Sequence, residues 1–416
     1  MKNSKWETFQ IGDLVKLRQG FCINKKSNHY VSDLGIPLLR IADMINKTQE
    51  IFIKYTIPSR FVVNKDEIIF TRTGQVGLVF RNQYGVMHNN CFSVSPITNN
   101  LDKDFLFWLL KSDYVYKTAY YFAKGAAQPD LSHPAFKSIK VTIPIKLEVQ
   151  QKIASILSTY EDLINTNRRR IQLLEESARL LFREWFVYFR FPGHEKVKIV
   201  DLGVRRIPAG WDYLPFTKIK LFKKAPLGVP VFTDIRQYYQ TSEIDGTSIT
   251  GNGEEVDYEN RPSRADISPR INTVYFAKMK DTDKVLYFNK GNTYLLEKVL
   301  LSTGMVGFTT DKKYLGFLFG LLTSYEFVQY KNNFATGATQ VSLNNASLRK
   351  IKVLFPALNL VELYSEIVNP LLEECSLLRS QNQKLAQARD LLLPRLMSGA
   401  IEVSESNIEI SKEAET

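Results

Sequence analysis

Two loops in this chain carry the residue types that grip a polyanion and read its bases. Ala123-Lys124-Gly125-Ala126-Ala127-Gln128 sets a cation and a carboxamide around a glycine, and Ala335-Thr336-Gly337-Ala338-Thr339-Gln340 repeats the glycine and the glutamine. Carboxamide and guanidinium groups make paired hydrogen bonds to base edges, whereas any reachable cation or donor serves a phosphate. On that chemistry the first half of the chain offers Arg40, Arg60, Arg72, Lys124 and Gln128 for DNA contact, with Arg72 beside the turn Thr73-Gly74-Gln75-Val76-Gly77. The second half offers Arg261, Arg264, Arg270, Lys278 and Lys280 in one stretch with Tyr275, and Gln340 beyond them. Gln128 and Gln340 recur in both loops, which fits loop structure or phosphate binding as well as base contact, since two domains reading different bases would differ there.

The residues of a catalyst are harder to find. No two prolines are adjacent, which excludes the Asn/Asp-Pro-Pro-aromatic motif that holds a flipped adenine in amino-methyltransferases. No glycine precedes a lysine and no G-x-G-x-x-G occurs, so there is no phosphate-cradling nucleotide loop. Pro129-Asp130 and Asp311-x-Lys313 lie far apart in different halves and do not make a nuclease site. Cys22, Cys91 and Cys375, with His29, His88, His133 and His194, lack metal-ligand spacing, so no metal site is expected. Catalysis by this chain alone is not expected.

Charge supports the binding reading. The net charge is +12, and it is uneven: residues 1–146 carry +9, 147–190 carry +1, 191–358 carry +7 and 359–416 carry −5. Excess positive charge confined to two blocks is what two polyanion-binding surfaces produce. The beginning of the chain has no apolar signal core, and the longest apolar stretches fall well short of the ~20 residues of a membrane span, so a cytoplasmic protein without membrane attachment is expected.

The elements that must position these residues come in duplicate. The segment 123–144 matches 335–356 at a constant offset of 212, and each is preceded by a strand-rich region and a short helix. Upstream, Thr73-Gly74-Gln75-Val76-Gly77 matches Thr303-Gly304-Met305-Val306-Gly307, and Trp6 matches Trp211. After Pro144 and Pro356 the pattern changes to apolar residues every three and four. Ile153, Leu157, Tyr160, Ile164, Asn167, Ile171, Leu174, Ala178, Leu181 and Trp185 form one seam. Tyr364, Val368, Leu371, Cys375, Leu378, Asn382, Leu385, Arg389, Leu392 and Leu396 form the other. Such seams predict coiled-coil helices, and Asn167 and Asn382, central in each, are candidates to fix the register, although two solvent-facing asparagines would fit the pattern as well.

The fold expected is therefore α/β (α+β): two pseudo-symmetric globular domains, which the resemblance drawn below would make target-recognition domains, separated by two long antiparallel coiled-coil helices. The expected boundaries are 1–146 and 191–358 for the domains, 147–190 and 359–398 for the helices, and 399–416 for an acidic tail with Glu405, Glu409, Glu413 and Glu415. Antiparallel helices of roughly 40 residues, on the order of 60 Å long, would hold two heads facing a common side. Such a ruler suits two half-sites on one face of a duplex that repeats every ~34 Å.

The ordered set of motifs resembles the specificity (S) subunit of type I restriction-modification systems. Its carriers are the Thr73-Gly74-x-Val76-Gly77 turn, the Gly125 loop leading to Ile139-Lys140-Val141 and Pro144, and the Gln150-Gln151-Lys152-Ile153 helix start with Arg168 to Leu181. In the second copy they are Pro208-Ala209-Gly210-Trp211, Ser302-Thr303-Gly304-x-Val306-Gly307, Gly337-Ala338-Thr339-Gln340 and Leu391-Leu392-Leu393-Pro394-Arg395-Leu396-Met397-Ser398-Gly399. The resemblance implies a non-catalytic DNA-recognition subunit whose two domains each read half of a bipartite, asymmetric site. It also implies two methyltransferase (M) subunits that carry S-adenosylmethionine and modify adenine N6, and two restriction (R) subunits that use ATP and Mg, none of these cofactors being held by this chain. The outward faces of the helices are the expected partner surface, with Arg168, Arg169, Arg170, Glu175 and Arg183 on one and Glu366, Glu373, Arg379 and Arg389 on the other. A free-standing DNA-binding or architectural protein without partners is the alternative the same residues allow.

Overall fold

Strands rich in β-branched and aromatic residues pair in the same way twice along the chain. The computed structural model describes residues 6–125, 127–201, 203, 205–337 and 341–403. Contacts divide the chain into two compact units, one running to Leu163 and resuming at Leu385, the other Ile164–Lys384.

In the first unit, β1 (Trp6–Gln10) and β2 (Val15–Gln19) are followed by β3 (Ile68–Thr71), β4 (Val79–Phe80) and β5 (Cys91–Pro96). The sheet order is β2-β5-β3-β4, and a separate five-stranded sheet is built from the segments between β2 and β5. Helix α1 (Lys103–Leu110) starts where the Asp102 carboxylate accepts from the Phe105 N–H, at 2.8 Å. Helix α2 (Asp113–Phe122) begins at Ser112, whose hydroxyl accepts from the Val115 N–H. The chain then returns as β6 (Lys140–Pro144), antiparallel to β1 with Trp6 opposite Pro144. Phe70, Phe92, Phe105, Trp108 and Phe136 fill the core under the sheet, and all five are fully buried.

The second unit repeats the four-stranded sheet, its helices and the returning strand, with a three-stranded sheet of Glu254–Val256, Arg236–Tyr239 and Val299–Leu301 where the first unit has five strands. β7 (Asp212–Pro215), β8 (Lys223–Lys224), β9 (Thr273–Ala277), β10 (Val285–Phe288) and β11 (Met305–Thr309) give a sheet of order β8-β11-β9-β10. Helices α4 (Leu315–Thr323) and α5 (Tyr325–Phe334) follow, then β12 (Lys352–Phe355), antiparallel to β7 with Asp212 opposite Phe355. The long helices are α3 (Leu147–Phe182), after β6, and α6 (Leu358–Met397), after β12.

Backbone hydrogen bonds fix the correspondence residue by residue. Arg72 N–H donates to Asn90 O, Leu131 N–H to Arg72 O and Gly74 N–H to Pro129 O, at 2.8, 2.8 and 2.9 Å. In the second unit Lys278 N–H donates to Gly304 O, Leu343 N–H to Lys278 O and Lys280 N–H to Val341 O, at 2.9, 2.8 and 3.0 Å. Arg72 thus corresponds to Lys278, and Pro129 and Leu131 to Val341 and Leu343 at the expected offset of 212. The expected match of Thr73-Gly74 with Thr303-Gly304 is corrected: Gly304 accepts the bond that Asn90 accepts, at the entry to the next strand. The glycines answer different needs. Gly77 sits in a turn at φ 94°, whereas Gly307 lies inside β11, where a Cβ would approach the Tyr275 ring to 2.4 Å.

Each unit contains a stretch of both long helices, packed antiparallel there. In the second unit the Tyr364 hydroxyl donates to Ala178 O at 2.7 Å and the Cys375 thiol reaches Ile171 O at 3.8 Å, so one helix rises as the other falls. In the first unit Ile153, Leu157 and Leu396 share one core. The apolar seams are buried much as their spacing predicts, with Leu372 taking the inner place expected for Leu371. A step of four from Val368 keeps the residue on the inner stripe at 3.6 residues per turn. Helix α3 ends in one π-helical turn, Arg183–Val187.

Candidate nucleic-acid interface

In each unit the candidate site forms where the turn between two sheet strands meets the glycine loop. In the first unit the turn after β3 carries Arg72 and Thr73, and the loop carries Lys124 and Gln128, both exposed. Lys124 and Asp130 exchange backbone hydrogen bonds of 3.0 and 2.8 Å, which closes the loop. Gly125 is at φ 108°, and a Cβ there would lie 2.6 Å from Gln128 O, so only glycine makes this closure.

Arg72 does not present a free charge. Its Nη2 donates to both oxygens of Asp130, at 2.8 and 3.1 Å, and its Nη1 lies 3.3 Å from Gln19 Oε1. The Thr73 hydroxyl donates to the same carboxylate at 2.5 Å. Partial burial would raise the Asp130 pKa, but Thr73 and Arg72 hold the carboxyl below its ordinary range. The His133 pKa is pushed down by burial first and then by the Arg72 and Lys137 charges, against the pull of Asp130.

The second unit keeps the backbone and changes the charges. Lys278 occupies the place of Arg72, and Ser342 that of Asp130, so the carboxylate partner is gone. Burial lowers the Lys278 pKa, and Lys224 and Arg264 lower it further as like charges nearby. Arg264 and Lys278 line a cleft of about 340 Å³ with Gln240, Thr241, Ser302, Thr303 and Ser342. Clustered cations over hydroxyl donors suit an anionic oxygen such as a DNA phosphate. Lys280, exposed on the same turn, extends the cluster.

The remaining candidates are scattered. Arg40 is committed to Asp43 and Glu50, at 2.6 Å each, and those carboxylates raise its pKa further. Arg60 is exposed with its guanidinium 4.8 Å from the centre of the Phe61 ring. Arg261 lies over the Tyr258 ring at 4.2 Å and 3.9 Å from Asp266, whereas Arg270 is exposed and makes no ion pair among the described residues. Gln340 lies outside the described residues, as does the acidic tail beyond residue 403. Lys224, Gln19, Asp130 and Ser342 belong to the site and were missed by sequence reasoning. The offset of 212 held the signal for two of them, since it aligns Asp130 with Ser342.

On the helices, Arg168, Arg169, Arg170 and Arg183 are exposed, with Arg170 bonded to Glu374 at 2.9 Å. Glu373 is half-buried and pairs with Lys312 at 3.0 Å, and Glu366 is exposed. The outward placement of Glu175 and Arg379 is corrected. Arg379 donates to Glu175 at 2.5 Å, to the Tyr287 hydroxyl at 2.6 Å and to Thr247 at 3.0 Å. Glu175 is 3% exposed, and the ion pair explains how a carboxylate tolerates that burial. Arg389, also expected outward, turns to Glu161 with only 15% of its side chain exposed. Asn167 Nδ2 donates to Asn382 Oδ1 at 3.0 Å, so the two central asparagines meet. Among the described residues no cluster of His, Cys, Asp or Glu is arranged to hold a metal ion, and no helix is long and apolar enough to cross a membrane.

Residues 3–176 match the family described as the type I restriction modification DNA specificity domain. The chain is 23% identical to the type I restriction enzyme MjaVIII specificity subunit of Methanocaldococcus jannaschii, covering 97% of this chain and 94% of that protein. It is 22% identical to the HindI specificity subunit of Haemophilus influenzae, covering 96% of this chain and all of that one. Its fold is similar to a crystal structure of a type I restriction-modification S subunit from M. genitalium, with a TM-score of 0.57 at 15% identity over 97% of this chain and 98% of that one.

Proposed function

We propose, on the premise that this chain belongs to the type I restriction-modification specificity-subunit family, that its two globular domains each read one half of a bipartite, asymmetric DNA site. The turn-and-loop clusters supply the contacts: Arg72, Lys124 and Gln128 in the first domain, Arg264, Lys278, Lys280 and Lys224 in the second. The observation that carries this reading is one backbone frame bearing different chemistry, Arg72 paired with Asp130 against Lys278 beside Ser342. A repeated frame positions two readers alike, and changed side chains let them prefer different bases.

The chain itself is non-catalytic. It positions two M subunits that methylate adenine N6 with S-adenosylmethionine, one in each half-site, and two R subunits that use ATP and Mg for translocation and cleavage. The exposed arginines Arg168, Arg169 and Arg183 supply part of the partner surface, and the number of helical residues sets the spacer between half-sites. The test is to co-express the chain with its methyltransferase partner and map N6-methyladenine in host DNA for Arg72→Ala and Lys278→Ala. The reading expects each variant to degrade a different half of one motif. Loss of the same half in both, or no effect in either, would overturn it.

A further inference from the structure

The two recognition turns are held by different means. Both turns bond to the loop that follows, through Gly74 N–H to Pro129 O and Lys280 N–H to Val341 O; beyond that, the first-domain turn is held by its own residues, with Thr71 Oγ1 accepting from Leu78 N–H at 2.9 Å and donating to Gln75 O, and Gly74 and Gly77 at positive φ. Helix α2 meets this turn where Tyr116 packs on Gly77, and one turn along it Ala119 is fully buried and without polar atoms in its side chain. In the second domain the turn of 278–284 has no glycine, and the residue 212 positions after Ala119 is Lys331 on α5.

Lys331 is 2% exposed. Its ammonium donates to Met279 O at 2.9 Å, to Thr282 O, and to Thr282 Oγ1 at 3.1 Å, with Ala277 O at 3.4 Å. Among the described residues no carboxylate forms an ion pair with it; its partners are the backbone and hydroxyl of the turn. The next residue, Asn332, completes the seat by accepting from Asp281 N–H at 3.0 Å, where Asp281 is at φ 57°. A buried ammonium with oxygen ligands on one side fixes those oxygens in place, because leaving any donor unmatched in the interior is costly.

We propose that Lys331 is the positioning residue of the second DNA-recognition turn, seating Met279 and Thr282 so that Lys278 and Lys280 face the DNA together. This rests on the reading of the turns as half-site readers. Lys331 itself touches no DNA; it acts through the turn. The first domain meets the same requirement with glycines, so Lys331 bears on one half-site only.

The experiment uses the full chain with its methyltransferase partner and maps N6-methyladenine motifs for wild type, Lys331→Met, Lys331→Arg, Arg72→Ala and Lys278→Ala/Lys280→Ala. Lys331→Met is expected to lower methylation, by roughly tenfold for the loss of a charge-assisted hydrogen-bond set, at the positions of the half-motif that Lys278→Ala/Lys280→Ala affects. The half that Arg72→Ala affects should stay intact, and Lys331→Arg, which keeps a cationic donor, should retain most of the wild-type pattern. Should Lys331→Met be insoluble, Thr282→Val, which removes one acceptor at the rim, is expected to give the same half-selective loss. An unchanged motif, or an equal fall of both halves together with the amount of soluble chain, would overturn the proposal. If Arg72→Ala and Lys278→Ala/Lys280→Ala fail to act on separate halves, the reading of the turns falls, and this proposal with it.

Discussion

At the scale of single residues, what decides the chemistry is which charge has a partner. Asp130 neutralises Arg72, whereas Ser342 leaves Lys278 to share its surroundings with Lys224 and Arg264. Ser342→Asp would supply Lys278 with the missing carboxylate, and it is expected to weaken DNA binding through the second domain by roughly tenfold, measured on a duplex carrying the full site. Glu175 and Arg379 form the opposite case, a buried pair whose separation strands a charge. Glu175→Ala is expected to cost about 3–5 kcal/mol of stability in urea unfolding, and Glu175→Gln/Arg379→Met together much less. Lys331 gives a pH signature of its own. Burial lowers its pKa to about 8 from an ordinary 10.5, so between these values the unfolded chain binds more protons and stability rises with pH. The stabilisation is complete above the unfolded pKa and lost as pH falls through about 8. Lys331→Met should abolish that part of the rise, read as the difference between the two unfolding free energies across the window. None of these pairings was legible in the sequence. Arg72 and Asp130 are 58 positions apart, and which of many cations a carboxylate meets is settled by strand pairing and not by spacing.

At the scale of elements, the sequence was most readable where a period or a repeat imposed it. The offset of 212 placed both glycine loops and both closing strands, and β1 with β6 and β7 with β12 reproduce it in register. The seams of α3 and α6 were readable for the same reason, since burial follows the helical period, and the encounter of Asn167 with Asn382 follows from their central positions. The turn match failed because Thr-Gly-x-Val-Gly is short, and two glycines serve a tight turn in one place and a close approach to Tyr275 in the other. Arg379 and Glu175 were misplaced because a helix that packs on its partner helix and on a sheet has two inner faces, and an apolar seam reports only one. The loop geometry makes a prediction at this scale. Gly125→Ala must leave a backbone conformation at φ 108° and crowds Gln128 O, so it is expected to destabilise the loop by about 1–3 kcal/mol and to weaken the first half-site more than global stability. Paired measurements of melting temperature and half-site methylation check it.

At the scale of the whole molecule, charge and duplication act together. The two blocks of +9 and +7 fall on the two globular segments, while the segment from 359 onward is acidic at −5. Electrostatic attraction to DNA is therefore expected to be strong and sensitive to salt. Lys280→Ala, which removes one cation from the second domain's contacts, should reduce the slope of log affinity against log salt by roughly 0.9. Whether this chain chooses the DNA sites at which partner subunits act is read most directly by N6-methyladenine sequencing of host DNA with and without the gene. One bipartite motif, methylated on both strands in the presence of the gene, is expected to lose both methylations in its absence. Persistence of every methylated motif after deletion would contradict it.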